Sequence, residues 1–203
     1  MLLANRRNSM KLDSAEMRRI LTAVKETGLF VVLGYSERDG NSCYIAQSFI
    51  SPQGEIVAHH RKIKPTGVER NVWDEGGADS LRNVVETPFG RLGALCCAEH
   101  SMPLLRFYEY TQGVQIHVAA WPMTFELHRL EAPTPGHEDF NGDLHTSQFM
   151  AREGKCFVVI ATQVLSEGGL EKCNINEGKE TVRKAVVSLT SGVASPLRSC
   201  GIN

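Results

Sequence analysis

The sequence predicts an α/β domain, and three observations carry that expectation. Short apolar runs rich in β-branched residues alternate with segments of helical period. The stretch 91–121 reads strand–helix–strand, the unit from which parallel sheets are built. Apolar residues make up 42% of the chain and charged residues 22%, an ordinary globular balance, and 203 residues suffice for one sizeable core.

In chain order, DSAEMRRILTAVKETG (13–28) predicts the first helix: Asp13 or Ser14 caps it, Met17, Ile20, Leu21 and Val24 share a face, and Gly28 ends it. FVVLGYS (30–36) is a continuous apolar run, the pattern of a strand buried on both faces. YIAQSFI (44–50) and EIVAHHRK (55–62) flank SPQG, whose Pro52 and Gly54 predict a hairpin. KPTGVERNVWDEGGADS (64–80) has no clean period and reads as a long, functional type of loop. Strands follow at RNVVET (82–87) and RLGALCC (91–97), joined by a turn at Pro88-Phe89-Gly90. PLLRFYEYTQG (103–113) reads as a helix with Pro103 at its first position, and QIHVAAW (115–121) as a strand. A polar stretch to about 142, a helix near 143–154 and the strand KCFVVIATQVL (155–165) come next. In the tail from 174, only KAVVSLT reads as a strand.

A formal net charge of −1 leaves no electrostatic footprint for nucleic acid or an anionic membrane. No apolar run approaches the roughly 20 residues of a membrane span. The N-terminal apolar stretch is too short for a secretory signal. Six cysteines without an export signal favour free thiols in a reducing compartment, so a cytoplasmic location is expected.

Within RLGALCC, Leu92, Ala94 and Cys96 fall on one face and Gly93, Leu95 and Cys97 on the other. Cys96 continues the apolar run and reads as packing. Cys97 is the last residue before polarity returns at Glu99 and His100, at the carboxyl end of a strand, where α/β proteins gather their reactive groups. A thiol there is ionised near neutral pH if a cation or base stands beside it. Zinc fits poorly, because adjacent cysteines do not readily serve one tetrahedral ion and the other four cysteines lack C-x-x-C spacing.

EIVAHHRKIKPTGVER (55–70), Trp73 with its EGG loop, TPFGRLGALCCAEH (87–100), PLLRFYEYTQGVQIHVAAWP (103–122) and EGKCFVVIATQVLS (153–166) together resemble the nitrilase and cyanide hydratase branch of the carbon–nitrogen hydrolase superfamily. The resemblance covers about 10–175 in one register and treats 1–203 as a single domain with an atypical tail from 176. It implies an α-β-β-α sandwich, here incomplete at both ends, and a Cys-Glu-Lys thiol hydrolase without metal or organic cofactor. The nucleophile falls on Cys97, the lysine on Lys62, and the second glutamate on Glu69. The Ala98 N–H becomes a donor to the oxyanion, and Trp121 a pocket-lining residue, whereas His117 reads as sheet packing. The implied substrate is a small nitrile or amide, and the intact family forms homo-oligomers.

The sequence also departs from that pattern. The family's general-base glutamate lies upstream of the segment resembling 10–20, and no glutamate here matches it. Glu16 and Glu26 read as solvated helix charges. Ala98 stands where tryptophan is usual, and Gly67 where histidine is frequent. The expectations are therefore a nitrilase-type hydrolase, with an amidase, a cyanide hydratase or a non-catalytic truncated chain as alternatives.

Overall fold

The structure is a computed structural model that describes residues 2–122, 140–163 and 188–190. The polar stretch 123–139 and, apart from 188–190, the tail from 164 onward lie outside the described residues. In chain order the elements are helices α1 (Leu2–Asn8) and α2 (Ala15–Thr27), strands β1 (Val31–Asp39), β2 (Ser42–Ile50) and β3 (Ile56–Arg61), then β4 (Val84–Thr87) and β5 (Gly90–Cys96). Helix α3 (Pro103–Thr111), β6 (Ile116–Trp121), α4 (Phe140–Gly154), β7 (Phe157–Thr162) and β8 (Ser188–Thr190) complete it.

Strands β1-β2-β3 form an antiparallel sheet, and β4-β5-β6-β7-β8 form a mixed one in which β5, β6 and β7 run parallel. The sheets stack through Phe49 and the partly buried Val32 and Ala58 on one side and Leu92, Ala94, Ile116 and Val118 on the other. The far face of the second sheet is covered by helices: Leu95 meets Leu105 and Met150, while Ala119, Trp121, Val158 and Ile160 pack with Ala151. Helix α2 buries Met17 and Val24, and the β2–β3 turn lies against it, since a Cβ on Gly54 would strike the Leu21 carbonyl. This is the α-β-β-α arrangement. Full burial of each large side chain in these layers contributes about 1.5–3 kcal/mol.

Most elements stand where their patterns place them. Ser14 caps α2 by accepting from Met17 N–H, and Gly28 ends it in the left-handed region. The alternation on β5 holds, with Leu92 and Ala94 toward the first sheet and Leu95 toward the helices. Strand β1 is the exception: it is an edge strand, mostly half-buried, with Gly34 exposed. A run of apolar residues looks the same at an edge as at the centre of a sheet, because periodicity does not record the number of neighbours. Helix α1 had no sequence signal.

Candidate active site

Strand β5 ends at Cys96, and Cys97 opens a single 3₁₀ turn (Cys97–Ser101) with φ of 51°. A β-carbon in that left-handed conformation costs about 1–2 kcal/mol, so the surroundings must hold it. Glu99, fully buried, is one anchor. Its Oε2 accepts from Cys96 N–H at 2.8 Å and from His60 Nε2 at 2.9 Å, and its Oε1 accepts from Ile63 N–H at 2.8 Å. His60 donates its other ring N–H to the Ser80 carbonyl at 2.8 Å. Burial opposes a charge on His60, but Glu99 and that carbonyl outweigh it and raise its pKa. One carboxylate thus ties the Cys97 turn to the end of β3.

That strand end presents Lys62. Its backbone N–H is held by the Ile45 carbonyl, and the residue is 1% exposed. Nζ donates to both oxygens of Glu69, at 2.9 and 2.7 Å. Glu69 is itself fixed by the N–H and hydroxyl of Thr66 at the head of a 3₁₀ turn (Gly67–Asn71). A buried ammonium persists only when paired in this way. The EGG loop closes over the strand end: Gly76 N–H donates to the Lys62 carbonyl, and any Cβ at Gly76 would overlap the Arg61 carbonyl.

Burial pushes the Cys97 thiol up, the Lys62 charge pulls it down, Glu69 raises it, the Ala98 N–H bonded to the sulfur lowers it, and Asp143 raises it again. On balance the Cys97 pKa is raised above the ordinary thiol value. Lys62 is too strongly neutralised by Glu69 to overcome desolvation. Cys96, completely buried beside Glu99, is pushed much higher and is inert.

Trp121 stacks on His100, with ring centroids 4.8 Å apart, and donates Nε1–H to Ser147 Oγ at 3.0 Å. It shares a packed cluster with Cys97, and partly buried Ala98 packs against that cluster. His117 does more than pack: its ring bonds His100 on one side and Glu109 on the other. Sequence reasoning brought together Cys97, Lys62, Glu69, Ala98 and Trp121 but missed Glu99, His60, Glu109 and Asp143. A signal existed for Glu109, which lies four residues after Leu105 on the buried face of α3. Glu16 and Glu26 are exposed on α2, as expected.

A buried thiol on a left-handed turn and a buried lysine–glutamate ion pair at the end of β3 thus lie on an α-β-β-α frame. The family model described as carbon-nitrogen hydrolase matches residues 3–194. A nitrilase from Talaromyces marneffei is 55% identical over 174 residues, 83% of this chain and 52% of the relative. A cyanide hydratase from Armillaria gallica is 45% identical over 165 residues, 81% of this chain and 46% of the relative. Among solved structures, a carbon-nitrogen hydrolase from Helicobacter pylori superposes with a TM-score of 0.72 at 13% identity, over 91% of this chain and 63% of that one. The chain belongs to the carbon–nitrogen hydrolase family. It spans about half the length of the curated relatives it matches.

Proposed function

We propose that this chain carries out nitrilase-type hydrolysis, with Cys97 as nucleophile, Lys62 as the charge that stabilises the developing anion, and Glu69 as the group that holds Lys62. The observation that carries this reading is the buried Cys97 thiol, presented at positive φ with its charge state coupled to Lys62. The sulfur bonds to the nitrile carbon while the nitrogen takes the thiol proton, giving a thioimidate. Water adds and ammonia leaves, giving a thioester. A second water releases the carboxylic acid and returns the thiol. The Ala98 N–H, already directed at the sulfur, donates to charge on the tetrahedral intermediate, and Trp121 lines the substrate side. Relatives named nitrilase and cyanide hydratase support a small nitrile as substrate.

A second reading, a non-catalytic chain, is favoured by burial, which with Glu69 outweighs Lys62 and raises the Cys97 pKa. The test is ammonia release from a panel of aliphatic and aromatic nitriles, set against Cys97→Ala. Release that depends on Cys97 supports the enzyme reading, and equal rates support the non-catalytic one.

A further inference from the structure

Behind the nucleophile turn lies a line of buried polar groups. Glu109 on α3, His117 on β6 and His100 in the turn are each fully buried. Glu109 Oε1 lies 2.9 Å from His117 Nδ1, His117 Nε2 lies 2.9 Å from His100 Nε2, and His100 Nδ1 lies 2.7 Å from the Cys97 carbonyl oxygen. Gly93 leaves the room for it, because a Cβ there would overlap the Glu109 carboxylate.

The carbonyl end fixes the protons. A carbonyl only accepts, so His100 Nδ1 carries hydrogen. Burial first, then His117, push the His100 pKa well down, so His100 is neutral and its Nε2 is an acceptor. His117 Nε2 must therefore donate, and one further proton is shared between His117 Nδ1 and Glu109. The N–H groups of His117 Nε2 and His100 Nδ1 both point toward Cys97. The hydrogen bond the line ends on belongs to the Cys97–Ala98 peptide, whose other end is the Ala98 N–H, a group that favours the Cys97 thiolate. Donation to a peptide's oxygen strengthens its N–H as a donor and fixes its plane.

We propose that Glu109, His117 and His100 form a positioning chain for the nucleophile, holding the Cys97–Ala98 peptide so that the Ala98 N–H stays directed at the sulfur. This rests on Cys97 being the nucleophile. Packing alone does not explain a carboxylate here: Glu109 Oε2 finds no hydrogen-bond partner among the described residues, and an apolar side chain would fill the same space at no such cost. The other charges facing the two ends are Lys62, Glu69 and Asp143 toward Cys97 and Arg106 and Lys62 toward His100. Arg106 Nη1 donates to the His100 carbonyl, and its Nε donates to Glu153.

The test is the pH dependence of Cys97 alkylation by iodoacetamide, read by peptide mass spectrometry, which needs no turnover. His100→Leu should raise the alkylation midpoint by about one pH unit, the loss of one hydrogen bond that favours the thiolate. His100→Asn, whose Nδ2–H can stand where Nδ1–H stood, should restore most of the shift. Glu109→Leu, which removes the carboxyl at the far end of the line at little change in volume, should raise the midpoint by less. Folding is checked by thermal unfolding, and if His100→Leu does not fold, Glu109→Leu decides. A native midpoint in the folded variants overturns the positioning chain and leaves the nucleophile assignment standing. Absence of Cys97 labelling in the native chain overturns both.

Discussion

Glu99→Ala tests how the two halves of the site are joined. Glu99 accepts from Cys96 N–H and His60, both buried, and from Ile63 N–H, which is partly buried. Its removal orphans three donors, each worth about 1–3 kcal/mol when left unpaired in the interior. Relaxation and water entry recover part of that, so the expected loss is about 4 kcal/mol, a large share of a domain stability of about 5–15 kcal/mol. With a urea slope of about 2 kcal/mol/M, the unfolding midpoint should fall by about 2 M. Glu99→Gln keeps an acceptor for Cys96 N–H but turns an amide N–H₂ toward Ile63 N–H, and should lose about half as much. Equilibrium urea unfolding followed by fluorescence measures both. A loss below about 1 kcal/mol for Glu99→Ala would refute the claim that this carboxylate ties the lysine strand to the nucleophile turn.

Other outcomes follow from the same geometry. Glu69→Ala strands the Lys62 ammonium in the interior and should cost about 3–5 kcal/mol in urea unfolding, with Glu69→Gln intermediate. Cys97→Gly should be more stable than Cys97→Ala by about 1 kcal/mol, because only glycine occupies positive φ without strain; equal stability would mean the turn is not strained. Because the His60 pKa is raised in the folded state, its pair with Glu99 contributes fully below the unfolded value near 6.5 and fades as pH rises through the folded value. Glu37, buried but bonded by His59 and Arg61, falls to about 2, so its contribution holds above 4.5 and disappears as pH drops toward about 2. Thermal melts across both ranges read these slopes, and Glu37→Gln should flatten the acidic one.

The framework of this fold is legible because period, caps and turns are local. The alternation along RLGALCC, the Ser14 cap and the parallel unit 91–121 all follow from neighbours in sequence. The number of neighbours a strand acquires is not local, and β1 therefore read as buried on both faces when it is mostly half-buried at the edge of its sheet among the described residues. Lys62 and Glu69 stood out only through the family resemblance, since an isolated charge in a strand or loop is normally solvated. Glu99, Glu109 and His60 were hidden for the same reason: their charges are compensated by backbone and ring groups that are 36, 8 and 39 residues away. Compensation at such separations leaves no periodic trace.

The account stands on Cys97 as the reacting sulfur, and trapping tests this most directly. The chain is incubated with a nitrile, quenched in acid and digested, and the peptide spanning Cys96 and Cys97 is sequenced by mass spectrometry. A thioimidate or thioester mass on Cys97, absent from Cys97→Ala and retained in Cys96→Ala, is the expected result. An adduct on Cys96, or one that persists in Cys97→Ala, would contradict the account.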